Sequence, residues 1–241
     1  MAEYSHCDNL RVVLVRTRNP LNIGAAARAM SNFGFLRLRL VQPYEIAFRE
    51  ARSAVGAATV LNNAEEFDTV ADAVSDCELV VGTSAISKRE VQHRVLALPS
   101  AAALIRKQLA SRVAVLFGSE KVGLSNQDLS HCDWLLRIPT REEHGTMNLG
   151  QAVAVCMYEL ARGKPPERSV TGGSKRAPAR DVERLTKVLL EALTMSGYLN
   201  PRTRSATEEK VRRLVRRLQL QAEDAQVLLG MLRQIAWKVR Q

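Results

Sequence analysis

The chain has 241 residues, room for one sizeable α/β domain and a smaller appendage, and its 46% hydrophobic and 25% charged residues suit a packed protein. Met1 to Asn9 is polar rather than signal-like, and no uncharged apolar run nears the ~20 residues that span a bilayer, so a cytoplasmic protein without a membrane partner is expected. The net charge of +10 is uneven, with +1 over residues 1–163 and +9 over residues 164–241, which suggests that the tail meets a polyanion.

Leu10 to Val15 reads as a buried strand, broken by Asn19-Pro20. Asn22 to Phe33 reads as a helix, because Ile23, Ala26, Ala27, Met30 and Phe33 recur at helical spacing; Asn22 or the residue before it is the expected N-cap. Leu36 to Val41 alternates as a strand and stops at Pro43. Ile46 to Val55 and Ala64 to Val74 have helical patterns, with the apolar Thr59-Val60-Leu61 between them. Glu78 to Gly82 is a strand leading into Thr83-Ser84-Ala85, and a polar, basic stretch from Ser87 to Arg94 follows. Next come a helix from Ala101 to Leu109, strands at Val113 to Phe117 and Trp134 to Ile138, and an amphipathic helix from Asn148 to Leu160. Strands alternating with helices at this spacing predict a mostly parallel α/β sheet over residues 1–163.

Residues 164–179 have a linker's Pro, Gly and Ser content, and residues 180–241 read as a small helical unit with helices near 182–193, 207–220 and 222–239. In the middle helix, Val211, Leu214, Val215 and Leu218 form an apolar stripe beside Arg212, Arg213, Arg216 and Arg217, which are the expected RNA-binding residues.

Cys7, Cys77, Cys132 and Cys156 lack zinc or disulfide spacing, and no histidine has an i, i+4 partner, so no metal is expected. The segment after the first strand, Asn22 to Ala27, is not G-x-G-x-x-G, which disfavours a nicotinamide site. Gly118 to Ser125 superficially resembles a phosphate loop, but Leu124 stands where lysine is needed and Glu120 would repel phosphate. Three polar, glycine-bearing segments remain at strand ends, where open α/β sheets bind ligands: Thr83-Ser84-Ala85, Phe117 to Glu120, and Ile138-Pro139 with Gly145 to Asn148.

Together with Asn22-x-Gly24-x-x-x-Arg28, these motifs (N-x-G-A-A-A-R, V-G-T-S-A, L-F-G-S-E-K-V-G-L-S and I-P…N-L-x-x-A) resemble the TrmH-type SPOUT RNA methyltransferases, most closely their TrmJ branch. The likeness covers roughly residues 10 to 162 in order and spacing. It implies a C-terminal trefoil knot, a homodimer, and S-adenosylmethionine as the methyl donor in the knotted loops. Thr83, Ser84, Ala85, Gly118, Ile138, Gly145, Thr146 and Met147 would line the cofactor pocket, while Asn22, Arg28, Glu120 and Asn148 would be the catalytic polar residues near the reacting ribose. The implied reaction is 2′-O-methylation of tRNA at a cytidine or uridine in position 32 of the anticodon loop. The chain departs from the TrmJ pattern at Ile86, Thr146, Arg16 and Arg18.

Methyl transfer from a sulfonium is an in-line displacement that requires positioning and no metal. Arginine is a poor proton acceptor at neutral pH, so Arg28 is expected to bind the adjacent phosphate and stabilise the developing alkoxide. Glu120 also reads as a loop carboxylate that binds backbone N–H groups, and Asn148 as a helix N-cap. The alternatives are a ribosomal-RNA ribose methyltransferase, a catalytically retired RNA-binding relative, and a helical DNA-binding regulator. The basic tail is expected to grip the tRNA body, so that loss of residues 164–241 weakens tRNA binding and spares the cofactor.

Overall fold

The computed structural model describes residues 7–44, 58–84, 92–141, 143, 145–162, 175–200 and 202–240. Its seven described strands are β1 (Leu10–Val15), β2 (Arg37–Val41), β3 (Glu65–Phe67), β4 (Leu79–Thr83), β5 (Val95–Ala97), β6 (Val113–Phe117) and β7 (Trp134–Arg137). They form one sheet in the order β3-β2-β1-β6-β4-β7-β5, and every pairing is parallel. β1 and β6 are buried throughout because both faces of the sheet are covered.

The two-residue period divides the core. Leu10, Val12 and Leu14 of β1 point to one face with Leu38 and Leu40 of β2 and Val113, Val115 and Phe117 of β6. That face is covered by α1 (Pro20–Asn32), α2 (Ala58–Asn62), α4 (Leu98–Gln108) and α6 (Leu149–Ala161), which contribute Ile23, Met30, Leu61, Ile105, Val153 and Met157 to its core. Val13, Val15, Val80, Ala114, Leu116 and Leu135 point to the other face. Among the described residues of this part of the chain, two short helices lie there, α3 (Val70–Ala73) and α5 (Asn126–Ser130).

The C-terminal helices α7 (Ala179–Met195), α8 (Arg204–Arg217) and α9 (Ala222–Val239) complete that second cover. They share a small core of Val182, Leu185, Val211, Val215 and Ala225. Ala179 is buried in the second face's own cluster, and the N–H groups of Ala179 and Arg180 donate to the Cys77 and Ser75 carbonyls at 2.8 and 3.0 Å. No described helix is long and apolar enough to cross a membrane.

Several elements differ from the sequence expectation. Ala64 to Val74 is not one helix: Glu65–Phe67 joins the sheet edge beside β2, and Thr69 then caps α3 by accepting from the Asp72 N–H. The Thr59-Val60-Leu61 stretch lies inside α2, and the edge strand β5 was not anticipated. α1 begins at Pro20 with Asn19 as its N-cap, so the asparagine before proline starts the helix and frees Asn22 for another role. The helix expected at Ile46 to Val55 and most of the linker lie outside the described residues.

Candidate active site

β6, β4 and β7 are neighbours in the sheet, so the loops leaving their carboxyl ends converge. Between these loops lies a cavity of about 690 Å³, a size that suits a nucleoside-sized ligand. Thr83 and Ser84 come from the end of β4, Phe117 to Leu124 from the loop after β6, and Ile138, Thr140 and Gly145 to Asn148 from the segment after β7. Leu124, Leu129, Leu136 and Leu149 add apolar wall.

The loop after β6 is folded tightly on itself: the Gly123 N–H donates to the Ser119 carbonyl at 2.9 Å, and Gly123 takes φ +68°. A Cβ on Gly118 would lie 2.0 Å from the Gly123 carbonyl carbon and 2.2 Å from the Leu124 nitrogen. Only glycine fits there. β4 is pinned on both sides at its end, with Thr83 Oγ1 donating to the Leu116 carbonyl at 2.9 Å and the Ser84 N–H to the Leu136 carbonyl at 2.9 Å.

A chain of polar side chains runs along one edge of the cavity. Glu120 Oε1 accepts from Asn22 Nδ2 at 2.9 Å and from the Asn19 N–H at 3.3 Å, while Oε2 accepts from the Arg18 N–H at 3.4 Å. Asn22 Oδ1 in turn accepts from Asn148 Nδ2 at 2.8 Å. Asn148 Oδ1 caps α6 by accepting from the Gln151 N–H at 3.3 Å. Both carboxylate oxygens of Glu120 are therefore committed to holding the turn before α1 against the β6 loop. Thr140 Oγ1 is buried without a partner among the described residues, a polar atom that a ligand in the cavity would satisfy.

The structure thus brings Asn22, Thr83, Ser84, Gly118, Glu120, Ile138, Gly145, Thr146, Met147 and Asn148 to one cavity. Ala85 lies outside the described residues. Arg28 is exposed on α1, away from the lining of this cavity, in a stripe with exposed Leu21 and Ala25. The arginines of α8 stand elsewhere again. Arg212 pairs with Glu183 at 3.0 Å and Arg213 with Gln92 at 3.1 Å, Arg216 is 4% exposed, and Arg217 faces solvent. The reading of loop motifs missed the apolar wall and Thr140. Leu129 carried no sequence signal because it reaches the cavity from a helix, not from a strand end.

Residues 9–158 match the SpoU rRNA Methylase family. The chain is 32% identical over 232 residues to the tRNA (cytidine/uridine-2′-O-)-methyltransferase TrmJ of Sodalis glossinidius, covering 94% of this chain and 91% of that protein. It is 35% identical over 239 residues to the tRNA (cytidine/uridine/adenosine-2′-O-)-methyltransferase TrmJ of Pseudomonas aeruginosa, covering 93% of each. The crystal structure of TrmJ from Z. mobilis ZM4 superposes with a TM-score of 0.82 at 33% identity, covering 93% of this chain and 98% of that one. With this sequence match, this fold and loops converging on one cavity, the chain belongs to the SpoU methylase family and, within it, to the TrmJ group.

Proposed function

We propose that the protein transfers a methyl group from S-adenosylmethionine to a ribose 2′-hydroxyl of tRNA, at cytidine or uridine 32 of the anticodon loop, acting in the cytoplasm as a homodimer. The observation that carries this reading is the glycine-tight loop Gly118–Gly123, which opens a nucleoside-sized cavity directly beside the Glu120–Asn22–Asn148 chain. When bound, the cofactor supplies a methyl group on a positively charged sulfur, activated for in-line displacement.

The chain's own residues do the rest. Thr83, Ser84, Gly118, Ile138 and Gly145 to Met147 hold the cofactor, largely through backbone groups, and Thr140 Oγ1 gains a partner. Glu120 positions: with both oxygens engaged it orients Asn22, and Asn22 orients Asn148, so the amides at the cavity edge present fixed donors to the ribose. The threading of these loops as a trefoil knot follows from the family resemblance. Exposed Leu21 on α1, with Val155 and Tyr158 on the adjoining α6, supports burial of this face in a dimer. Arg28 shares the exposed side of α1 with Leu21, so in that dimer it serves the partner's cavity, where it binds the phosphate next to the reacting ribose.

The test is incubation with labelled S-adenosylmethionine and separate pools of tRNA and ribosomal RNA, followed by mapping of the methylated nucleoside. A 2′-O-methylated pyrimidine at position 32 of tRNA is the expected product. Label entering only ribosomal RNA would replace this reading with the ribosomal one, and label entering neither pool would discard both. Gly118→Ala is expected to abolish cofactor binding in calorimetry. Arg28→Ala should bind cofactor as the unsubstituted protein does and lose about 10- to 100-fold in turnover.

A further inference from the structure

α5 is only five residues long, too short to hold its own position, yet its Leu129 forms part of the cavity wall. Its two ends are tied to different parts of the molecule. At the start, Ser125 and Asp128 form a capping box, and Asp128 pairs with Arg16 at the end of β1. At the finish, Ser130 Oγ accepts from Arg212 Nη1 of α8 at 3.3 Å. The same guanidinium grips Glu183 of α7 through Nε at 3.0 Å and Nη2 at 3.3 Å. Beside it, Arg213 Nη2 donates to Gln92 Oε1 at 3.1 Å.

We propose that Arg212 is a positioning residue for the methyl donor: by bridging Glu183 and Ser130 it fixes α5, and so sets the Leu129 wall of the cavity. This rests on the reading of that cavity as the S-adenosylmethionine site. The C-terminal helices are then part of the cofactor pocket's support, and their loss should weaken cofactor binding as well as tRNA binding. A role for Arg212 as a phosphate contact is disfavoured. Its side chain is only 14% exposed and that of Glu183 only 11%, so reaching RNA would strand a buried carboxylate without its partner.

The experiment uses the full chain with Arg212→Ala, Arg212→Lys and Ser130→Ala. Cofactor affinity is measured by calorimetry without RNA, and steady-state rates and tRNA binding are measured separately. Arg212→Ala should raise the KM for S-adenosylmethionine about five- to tenfold, leave kcat at saturating cofactor within about twofold, and leave tRNA affinity unchanged. Ser130→Ala should move the same KM in the same direction by less, and Arg212→Lys, which keeps the charge on Glu183, should recover part of the loss. A purely structural role would lower the melting temperature with KM unmoved, and that result would overturn the proposal. So would a loss of tRNA affinity alone. Should Arg212→Ala fail to fold, Ser130→Ala and Arg212→Lys carry the test. Failure of the unsubstituted protein to bind the donor would instead remove the methyltransferase reading, and it is seen before any substitution is made.

Discussion

The two faces of the sheet are built in different ways. One is dry over most of its area: α1, α4 and α6 lay long apolar stripes on Leu10, Val12, Leu14, Val113 and Val115, and close packing fixes most of the geometry, with a few hydrogen bonds such as Asn148 to Asn22 at its edges. The other has, among the described residues, two short helices from the same part of the chain, α3 and α5, and is finished by charged pairs and by the C-terminal helices. Arg39, Asp76 and Glu65 tie β2 to the α3 region; Arg16 and Asp128 tie β1 to α5; Arg212 of α8 ties Ser130 of α5 to Glu183 of α7. The dry face should therefore answer to changes of shape, and the charged face to changes of charge and pH.

The largest expected effect lies on the charged face. Arg39 is 7% exposed and donates to Asp76, Glu65 and the Ala73 carbonyl, and Arg39→Ala should cost about 3 kcal/mol in urea unfolding by leaving partly buried acids short of donors. Burial works against the charge of Asp76, but the hydrogen bond and pull of Arg39 and the charge of Arg11 prevail, so its carboxyl titrates at about 2. A cost as small as that of an exposed arginine would refute the contrast.

Acid should come next. Burial, opposed by Glu183, pushes His131 down to about 4, so the unfolded chain takes up that proton first. The stability is present above the ring's ordinary value near 6.5 and is lost as pH falls toward 4, on the order of 2 kcal/mol by pH 4.5. Denaturant melts at pH 7 and 4.5 should show this, and His131→Asn should flatten the difference.

On the dry face, Gly150→Ala would place a Cβ 2.6 Å from the Ala25 Cβ where α1 and α6 meet. We expect it to lose about 1–2 kcal/mol equally at both pH values, since only packing is disturbed. A strong pH dependence there would blur the distinction. The smallest effect belongs to Ser125→Ala, about 1 kcal/mol from the lost cap of α5, together with a modest rise in the KM for the methyl donor.

This contrast also explains what was legible beforehand. The central strands β1 and β6 announce themselves as near-continuous apolar runs because both of their faces are buried, and β2 beside them by the alternation that puts Leu38 and Leu40 on a buried face. β3 did not, because Glu65-Glu66-Phe67 is an exposed edge strand with no alternation to read. The cavity was legible because its residues cluster in a few loops at strand ends, whereas Leu129 depends on a helix held from far along the chain. Most of all, a count of arginines cannot separate a grip on phosphate from a grip on Glu183, which lies 29 positions before Arg212.

The Glu120–Asn22–Asn148 chain also bears on how the molecule comes into being. Its members are 98 and 126 positions apart in their pairings, so none of its hydrogen bonds has a local substitute. Long loops must close before these contacts reward the chain, which makes the site one of the last features to assemble. A nascent or partly folded molecule therefore has no weakened version of this site, and activity should rise together with the final, cooperative step of folding.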